Sequence, residues 1–305
     1  MSFSSDVKKE LCSFLPEEPC CQKAELAGLL AVSGTPVSQS SGGGLKFRTE
    51  NKDVFKRTEM LLSGLFLLPF KKIMQQKKDK SYIYTLLLSE SPEYLHMMKT
   101  LGLWRDERPK FCVDPFVTGE SCCRRAFLRG AFLGSGSVND PEKSYHLEIE
   151  THYHDLAHDI LQLFEDEQLT ARSVMRKSNF VIYMKDSEEI ADALTAFGAT
   201  DSALSLYAIK VEKNMINKVQ RRVNCENANA TKTANAAAVQ LRAINKLMAS
   251  HLASDLTPAM LELARLRMDN PEASLSELTS LYSVPISKSG ISRRLQKLVD
   301  MAELL

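Results

Sequence analysis

The chain contains no long hydrophobic run. Its most apolar stretch, "LLSGLFLLPF" (61–70), is far short of the roughly 18 residues a membrane span requires, so no membrane partner is expected. The opening "MSFSSDVKKELCSFL" lacks a basic start, an apolar centre and a cleavage site, which excludes a secretory signal and predicts a cytoplasmic protein. Cysteine is sparse and odd in number, seven, and four of them form two adjacent pairs, Cys20 with Cys21 and Cys122 with Cys123. Adjacent cysteines rarely bridge each other, so these are read as reduced thiols packed at helix starts. They also lack the two-to-four-residue spacer of a zinc knuckle, so neither a metal site nor any cofactor is expected. No Ser-His-Asp or Cys-His arrangement can be argued from spacing. The glycines of "SSGGGL" (40–45) lack the Gly-Lys-Ser/Thr ending of a phosphate loop, and a flexible hairpin or loop is expected there.

What is present is ordinary in bulk: 305 residues, 44% hydrophobic and 25% charged, enough for two or more globular domains. Net charge is nearly absent at +1, but it is unevenly divided. Residues 1–206 carry 25 Lys and Arg against 29 Asp and Glu, a balance of −4, while residues 207–305 carry 14 against 9, a balance of +5. Eight bases and two acids fall within 207–251. A basic, acid-poor connector beside a small helical domain suggests a polyanionic partner; a solvated lysine-bearing helix gives the same count.

The chain repeats itself. "CCQKAELAGLLAVSG" (20–34) aligns without a gap on "CCRRAFLRGAFLGSG" (122–136), 102 positions later. At the same offset the alternating "LKFRTE" (45–50) falls on "LEIETH" (147–152), both strand-like, and "NKDVFKRTEMLLSGLF" (51–66) falls on "YHDLAHDILQLFEDEQ" (153–168) at helical spacing. The copies then drift, yet "SYIYTLLLS" (81–89) and "NFVIYMKDS" (179–187) are both strand-like and each precedes a helix, 91–104 and 187–198. One α+β unit of helix, hairpin, helix, hairpin or strand, and helix is thus duplicated. In its first helix, small residues recur on one face: Ala24 and Gly28 in the first copy, Ala126, Gly130 and Gly134 in the second. Such faces permit closer approach than the usual ~8–10 Å between helix axes, which predicts a seam between the two copies.

"LAGLLAVSG" (26–34) resembles the motif of the LAGLIDADG homing endonucleases, and "LRGAFLGSG" (128–136) is a looser second copy. In active members the acid before the final glycine holds divalent metal against the scissile phosphates. Here those positions are Ser33 and Ser135, and the other motif acid is replaced by Ala31 and Leu133. Asp140 is the nearest carboxylate, and its counterpart stretch "TPVSQS" (35–40) has none. Hard cations require anionic oxygens, so the resemblance implies the fold without the cleavage chemistry, and no catalytic residue is expected.

Two further stretches permit more than one reading. His154 and His158 lie four apart on a predicted helix, a spacing that can chelate zinc. They lack the glutamate placement of a metalloprotease helix, and a structural or solvent-facing role is expected for them and for His146 and His152. "KKIMQQKKDK" (71–80) is either a DNA-facing hairpin tip, because the LAGLIDADG superfamily lays its sheets along the groove, or a solvated turn.

The C-terminal hundred residues are helical. Residues 208–252 read as two helices joined by a polar turn at "NCENANATKTANAA", with Val239, Leu241, Ile244 and Leu247 on the second. Arg221 and Arg222 are candidate phosphate contacts or members of a solvated face. "TPAMLELARLRM" (257–268) has Thr257 at an N-cap and Pro258 at the first helical position. "SLSELTSLY" (274–282) opens with a capping box, Ser274 and Glu277. A third helix in 287–305 aligns Ile291, Leu295, Leu298 and Met301 or Ala302 on its inner stripe. Its outer face holds Ser287, Lys288, Ser289, Ser292, Arg293 and Lys297, the candidate DNA-binding residues of a helix-turn-helix; a protein-binding three-helix bundle is the alternative.

The degenerate LAGLIDADG core, the asparagine-rich linker and "SKSGISRRL" together resemble the WhiA family along essentially the whole chain. The expected architecture is therefore α+β, a duplicated LAGLIDADG homing-endonuclease-like domain followed by an all-α helix-turn-helix domain. Its boundaries are 1–206 (copies about 1–104 and 105–206), a basic helical linker 207–252, and 253–305. The resemblance implies a nonenzymatic, nucleoid-associated transcription regulator linked to sporulation, cell division and chromosome segregation. Its partner would be double-stranded DNA at promoter or chromosomal sites, with a possible protein partner on the LAGLIDADG-like domain. The competing functions are an active homing endonuclease, which acids at 33 and 135 would have supported, and a nucleoid or division adaptor without sequence preference.

Overall fold

The computed structural model describes residues 2–13, 16, 18–38, 40 and 42–305, which form two compact units, 1–213 and 214–305. Ser41, within the expected 40–45 loop, lies outside the described residues. At its end, Gly42, Gly43 and Gly44 all take positive φ, and a β-carbon on Gly44 would stand 2.0 Å from the Leu88 carbonyl.

In the first unit, each copy has a central helix, a four-stranded antiparallel sheet and a covering helix. The first copy runs α2 (Pro19–Ser33), β1 (Gly34–Pro36), β2 (Gly44–Thr49), α3 (Lys52–Leu65), β3 (Lys71–Gln76), β4 (Tyr82–Ser89) and α4 (Pro92–Thr100). The second runs α5 (Ser121–Ser135), β7 (Ser137–Val138), β8 (Leu147–Thr151), α6 (His154–Asp166), β9 (Arg172–Arg176), β10 (Asn179–Met184) and α7 (Ser187–Phe197). A two-stranded ribbon, β5 (Trp104–Arg105) with β6 (Arg108–Pro109), joins them. Strand order is β1-β2-β4-β3 in one sheet and β7-β8-β10-β9 in the other. The 102-residue offset reproduces both ends of the central helix and the start of the covering helix. It is lost at the second hairpin, which turns through residues 77–81 in the first copy and 177–178 in the second.

Capping fixes several helix starts. Asn51 accepts from the backbone N–H of Asp53 at 2.9 Å and of Val54 at 3.1 Å, and Asp186 accepts from Glu188 and Glu189. The expected helix at 91–104 stops at Thr100, and Gly102 at φ 69° turns the chain into β5.

An additional helix, α1 (Phe3–Ser13), precedes the repeat and was not expected from it. It buries Val7 and Leu11. It also ties distant segments together: Ser4 Oγ accepts from Val138 N–H, and the Glu10 carboxylate accepts from the N–H groups of Asp201 and Ser202. Glu10 thereby caps the start of α8 (Thr200–Met248).

That helix corrects the expected linker. Residues 208–252 are not two helices joined by a polar turn; α8 runs unbroken for 49 residues. No glycine or proline interrupts it, and the asparagines of its centre are accommodated by i,i+4 bonds, Thr231 Oγ1 to the Asn227 carbonyl and Thr233 Oγ1 to that of Asn229. The span 214–232 is exposed on all sides.

In the second unit, the end of α8 packs with α9 (Pro258–Asp269), α10 (Leu275–Leu281) and α11 (Lys288–Glu303). Of the expected stripe on α8, Ile244 and Leu247 are buried together with Ala243, while Val239 is exposed. On α11 the inner stripe is Ile291, Leu295, Leu298, Val299 and Ala302, so Ala302 and not Met301 closes it. Thr257 occupies the N-cap of α9 without a side-chain cap bond; Ser274 and Glu277 form the expected capping box on α10.

Candidate functional site

The seam between the copies is a parallel pair of helices, α2 and α5, packed backbone to backbone. A β-carbon on Gly28 would lie 2.1 Å from the Phe127 carbonyl oxygen, and one on Gly130 would lie 1.9 Å from that of Glu25. On Gly134 it would meet Val32 Cγ2 at 2.5 Å and the Leu29 carbonyl oxygen at 3.0 Å. Ala24 and Ala126 are buried in the same core.

One carboxylate crosses this seam. Glu25, fully buried, accepts from Arg57 Nε at 2.6 Å and Arg57 Nη2 at 2.9 Å, and from Arg129 Nε at 2.8 Å. Arg129 Nη1 also donates to the Phe197 carbonyl at 3.1 Å. The triad joins α2 and α3 of one copy to α5 of the other. Its only hint in the sequence is a glutamate beside an otherwise apolar motif.

At the foot of the pair, the two degenerate acid positions are engaged with backbone. Ser33 Oγ donates to the Leu29 carbonyl at 2.5 Å and Ser135 Oγ to the Glu150 carbonyl at 2.6 Å. Ser135 borders an open cleft of about 510 Å³ whose lining includes Lys8, Arg48, Glu50 and Ser137. Among the described residues of this lining Glu50 is the one carboxylate, and it is held by Lys77. Lys8 Nζ donates to the Leu133 carbonyl at 3.2 Å, and burial pulls its pKa down from 10.5 to about 8. Lys8 and Ser135 line the same cleft. Asp140 is used locally, accepting from Glu142 N–H at 3.0 Å.

The outward faces of the two sheets carry opposite charge at equivalent positions. Lys46 and Arg48 on β2 sit opposite Leu87 and Thr85 of β4; their counterparts on β8, Glu148 and Glu150, sit opposite Tyr183 and Val181 of β10. Glu148 is partnered by His146 at 3.0 Å and Arg176 at 3.5 Å. In the lysine-rich hairpin, Lys72 and Lys77 are paired with Glu59 and Glu50. His152, His154 and His158 are solvent-facing, and His154 contacts Asp155 and the edge of Phe180.

The structure does gather the paired cysteines, contrary to the reading from their spacing. The Sγ atoms of Cys20, Cys21, Cys122 and Cys123 all lie within 4.8 Å of one another across the top of the seam.

In the second unit, all six candidate residues of α11 are exposed: Ser287, Lys288, Ser289, Ser292, Arg293 and Lys297. Ser287 is the N-cap, accepting from Gly290 N–H at 3.2 Å. Arg294, one residue from the candidate reader, faces inward instead. It donates to Tyr282 Oη at 2.7 Å and lies over that ring, and Tyr282 donates to the Ala259 carbonyl at 2.8 Å. The connector between α10 and α11 is therefore pinned to α9. Arg267, buried, donates to the Ala273 carbonyl at 2.7 Å and holds the α9–α10 loop. Arg221 and Arg222 are exposed on α8.

A duplicated LAGLIDADG-like domain followed by a helix-turn-helix domain defines the class of protein. Three family models match along the chain: the WhiA N-terminal LAGLIDADG-like domain at residues 19–104, the WhiA LAGLIDADG-like domain at 124–216 and the WhiA C-terminal HTH domain at 219–302. The chain is 36% identical over 310 residues to the probable cell division protein WhiA of Alkaliphilus metalliredigens, covering 99% of this chain and 98% of that one. It is 38% identical over 314 residues to the protein of the same description from Clostridium novyi, covering 100% and 98%. The crystal structure of full-length DUF199/WhiA from Thermotoga maritima superposes with a TM-score of 0.62 at 25% identity, covering 100% of this chain and 99% of that one. The chain belongs to the WhiA family. Among the described residues, no helix is long and apolar enough to cross a membrane.

Proposed function

We propose that this protein is a sequence-specific DNA-binding regulator serving cell division, with α11 reading the major groove and the duplicated domain acting as a scaffold without nuclease activity. The observation that carries the reading is the exposed stripe of α11. Ser289, Ser292, Arg293 and Lys297 follow one another along it, and no carboxylate appears on the helix before Asp300. Short hydroxyl side chains let the helix enter the groove by its N-terminal end, and long cations beside them reach base edges and phosphates. The name of the relatives supports the cellular role, and the wider reading adds transcription control linked to sporulation and chromosome segregation on nucleoid DNA. Arg221 and Arg222 would touch phosphate and carry little sequence information.

The absence of cleavage rests on donor chemistry. Ser33 and Ser135 offer neutral hydroxyls already directed at carbonyls, and Lys8 adds a cation to the cleft that Ser135 lines. Divalent ions need anionic oxygens there. The alternating charge of the sheet faces, Lys46 and Arg48 against Glu148 and Glu150, further disfavours a continuous phosphate cradle and favours a docking role for this domain.

Selection from a random duplex pool, followed by anisotropy on the winner and a scrambled duplex over a salt series, tests the reading. A winner bound no more tightly than its scramble would leave only the adaptor without sequence preference. Nicking of either duplex with magnesium or manganese, retained after deletion of the helix-turn-helix, would restore the nuclease.

A further inference from the structure

We infer that Cys20, Cys21, Cys122 and Cys123 form a tetrathiolate site for one zinc-class divalent ion, two ligands from each copy, stapling the top of the duplication seam. The inference is independent of DNA binding, and the site lies at the opposite end of the helix pair from Ser33 and Ser135. A 15-residue helix separates the two ends by roughly 20 Å.

The geometry follows from the repeat. Within a pair, adjacent cysteines lack the spacer that lets a single chain wrap an ion. Here the parallel helices bring the second and third residues of α2 against those of α5, so the missing spacing is supplied across the seam. A tetrahedral ion with metal–sulfur bonds of about 2.3 Å sets its four sulfurs about 3.8 Å apart. Cys122 and Cys123 already stand at 3.9 Å, and no pair exceeds 4.8 Å. Small side-chain rotations close the shell. A multinuclear iron–sulfur cluster spreads its ligands around several irons and fits this compact set poorly.

The surroundings suit a soft cation. Cys21 and Cys123 are buried and anchor the inner side, while Cys20 and Cys122 are exposed and provide the path of entry. Glu18 and Glu120 occupy the two N-caps without a side-chain cap bond, so both helices present their positive ends to the sulfurs, which favours thiolate. Lys23 lines the cleft shared by Cys20 and Cys123 and offsets the negative charge of a filled site. Uptake releases the thiol protons to solvent as sulfur–metal bonds form, and no electron is exchanged.

The test uses the full chain, purified with reductant, supplied with zinc and freed of unbound metal. Wild type should retain about one zinc per chain, and cobalt in its place should give thiolate charge-transfer and tetrahedral ligand-field bands. Cys20→Ser/Cys122→Ser, which alters only exposed positions, should lose both signals with its circular dichroism unchanged; Cys225→Ser should keep them. On unmodified protein, zinc should slow alkylation of Cys20 and Cys122 but not of Cys225, a readout that needs no variant. Failure of reduced wild type to retain zinc, retention by the double variant, or unaltered alkylation would each overturn the site. So would recovery of a Cys20–Cys122 or Cys21–Cys123 disulfide under the same reducing conditions.

Discussion

Gly130 stands so close to Glu25 that a β-carbon on the glycine would lie 1.9 Å from the glutamate's carbonyl oxygen. Backbone meets backbone there, and neither side has a flexible group that can yield. Gly130→Ala and Gly28→Ala should each force α2 and α5 apart at a cost of about 1–3 kcal/mol or more, and leucine should cost more still. Gly64 is the control. It lies on α3 with nothing within 4 Å of its added β-carbon, so Gly64→Ala should be neutral or stabilising by up to about 1 kcal/mol. Trp104, the one tryptophan, lies in the duplicated unit, and its fluorescence in urea reports that unit's unfolding. Equal midpoints for Gly28→Ala, Gly130→Ala and wild type would show that the helices separate without penalty.

The side chain of that glutamate carries a second expectation. Glu25 is the shared acceptor of two buried guanidinium groups; removing its charge costs Arg57 its carboxylate partner and leaves Arg129 the Phe197 carbonyl. Glu25→Gln keeps the shape but loses the charge, and should destabilise the unit by about 3–5 kcal/mol. Arg57→Met/Glu25→Met should cost less than the sum of its single changes, because each single change leaves one member of the pair buried alone and the double change removes both. Additive losses in the same fluorescence assay would show that the pair is not energetically coupled.

What the sequence disclosed and what it hid divide along physical lines. The duplication was legible because both central helices keep the same small residues at one offset, and close packing leaves few alternatives at Gly28 and Gly130. The helix-turn-helix was legible through local signals, the Ser274–Glu277 capping box and the Ile291–Leu295–Leu298 stripe. The triad was not, since Glu25, Arg57 and Arg129 are distant in sequence and Phe127, not Arg129, aligns with Glu25. The cysteine cluster was hidden for the same reason: each pair is uninformative until the seam brings the other against it. The asparagine-rich stretch misled because asparagine favours turns, yet with no glycine or proline nearby the alanines and lysines sustain one helix.

Lys8 gives the fold a pH dependence of definite sign. Burial lowers its pKa from 10.5 to about 8 in the folded chain. Between those values the unfolded chain holds more protons, so this residue makes stability rise with pH across the window; below about 8 its full penalty is present. Lys8→Met should remove that rise, so the difference in stability between variant and wild type should shrink as pH increases from about 8 towards 10.5. Parallel curves for the two proteins would mean that Lys8 keeps its ordinary affinity for protons.

The charge reversal between the sheets predicts what the duplicated unit does beside DNA. Glu148 and Glu150 occupy the places that Lys46 and Arg48 hold in the first copy. Glu148→Lys/Glu150→Arg should make both outward faces basic and strengthen binding to any duplex. It should also steepen the salt dependence by up to about two units of slope, with no gain in sequence preference. An unchanged slope would place this face away from bound DNA.

Sequence reading should separate two neighbouring arginines. Arg293 is exposed beside Ser289 and Ser292, whereas Arg294 turns inward to Tyr282 at 2.7 Å and helps pin the connector before α11. Arg293→Ala should therefore reduce affinity for the selected duplex by roughly 1–3 kcal/mol, with a much smaller loss on the scramble and no change in thermal stability. Arg294→Ala should lower stability of the C-terminal unit and weaken both duplexes together, because the helix is no longer held at its angle. Arg221→Ala/Arg222→Ala should weaken all duplexes alike and flatten the salt slope by about one to two units. The decisive quantity is the ratio of affinities for selected and scrambled duplex. If Arg293→Ala leaves that ratio intact while Arg294→Ala lowers it at unchanged stability, the inward arginine is the reader, and α11 must rotate when it meets the groove.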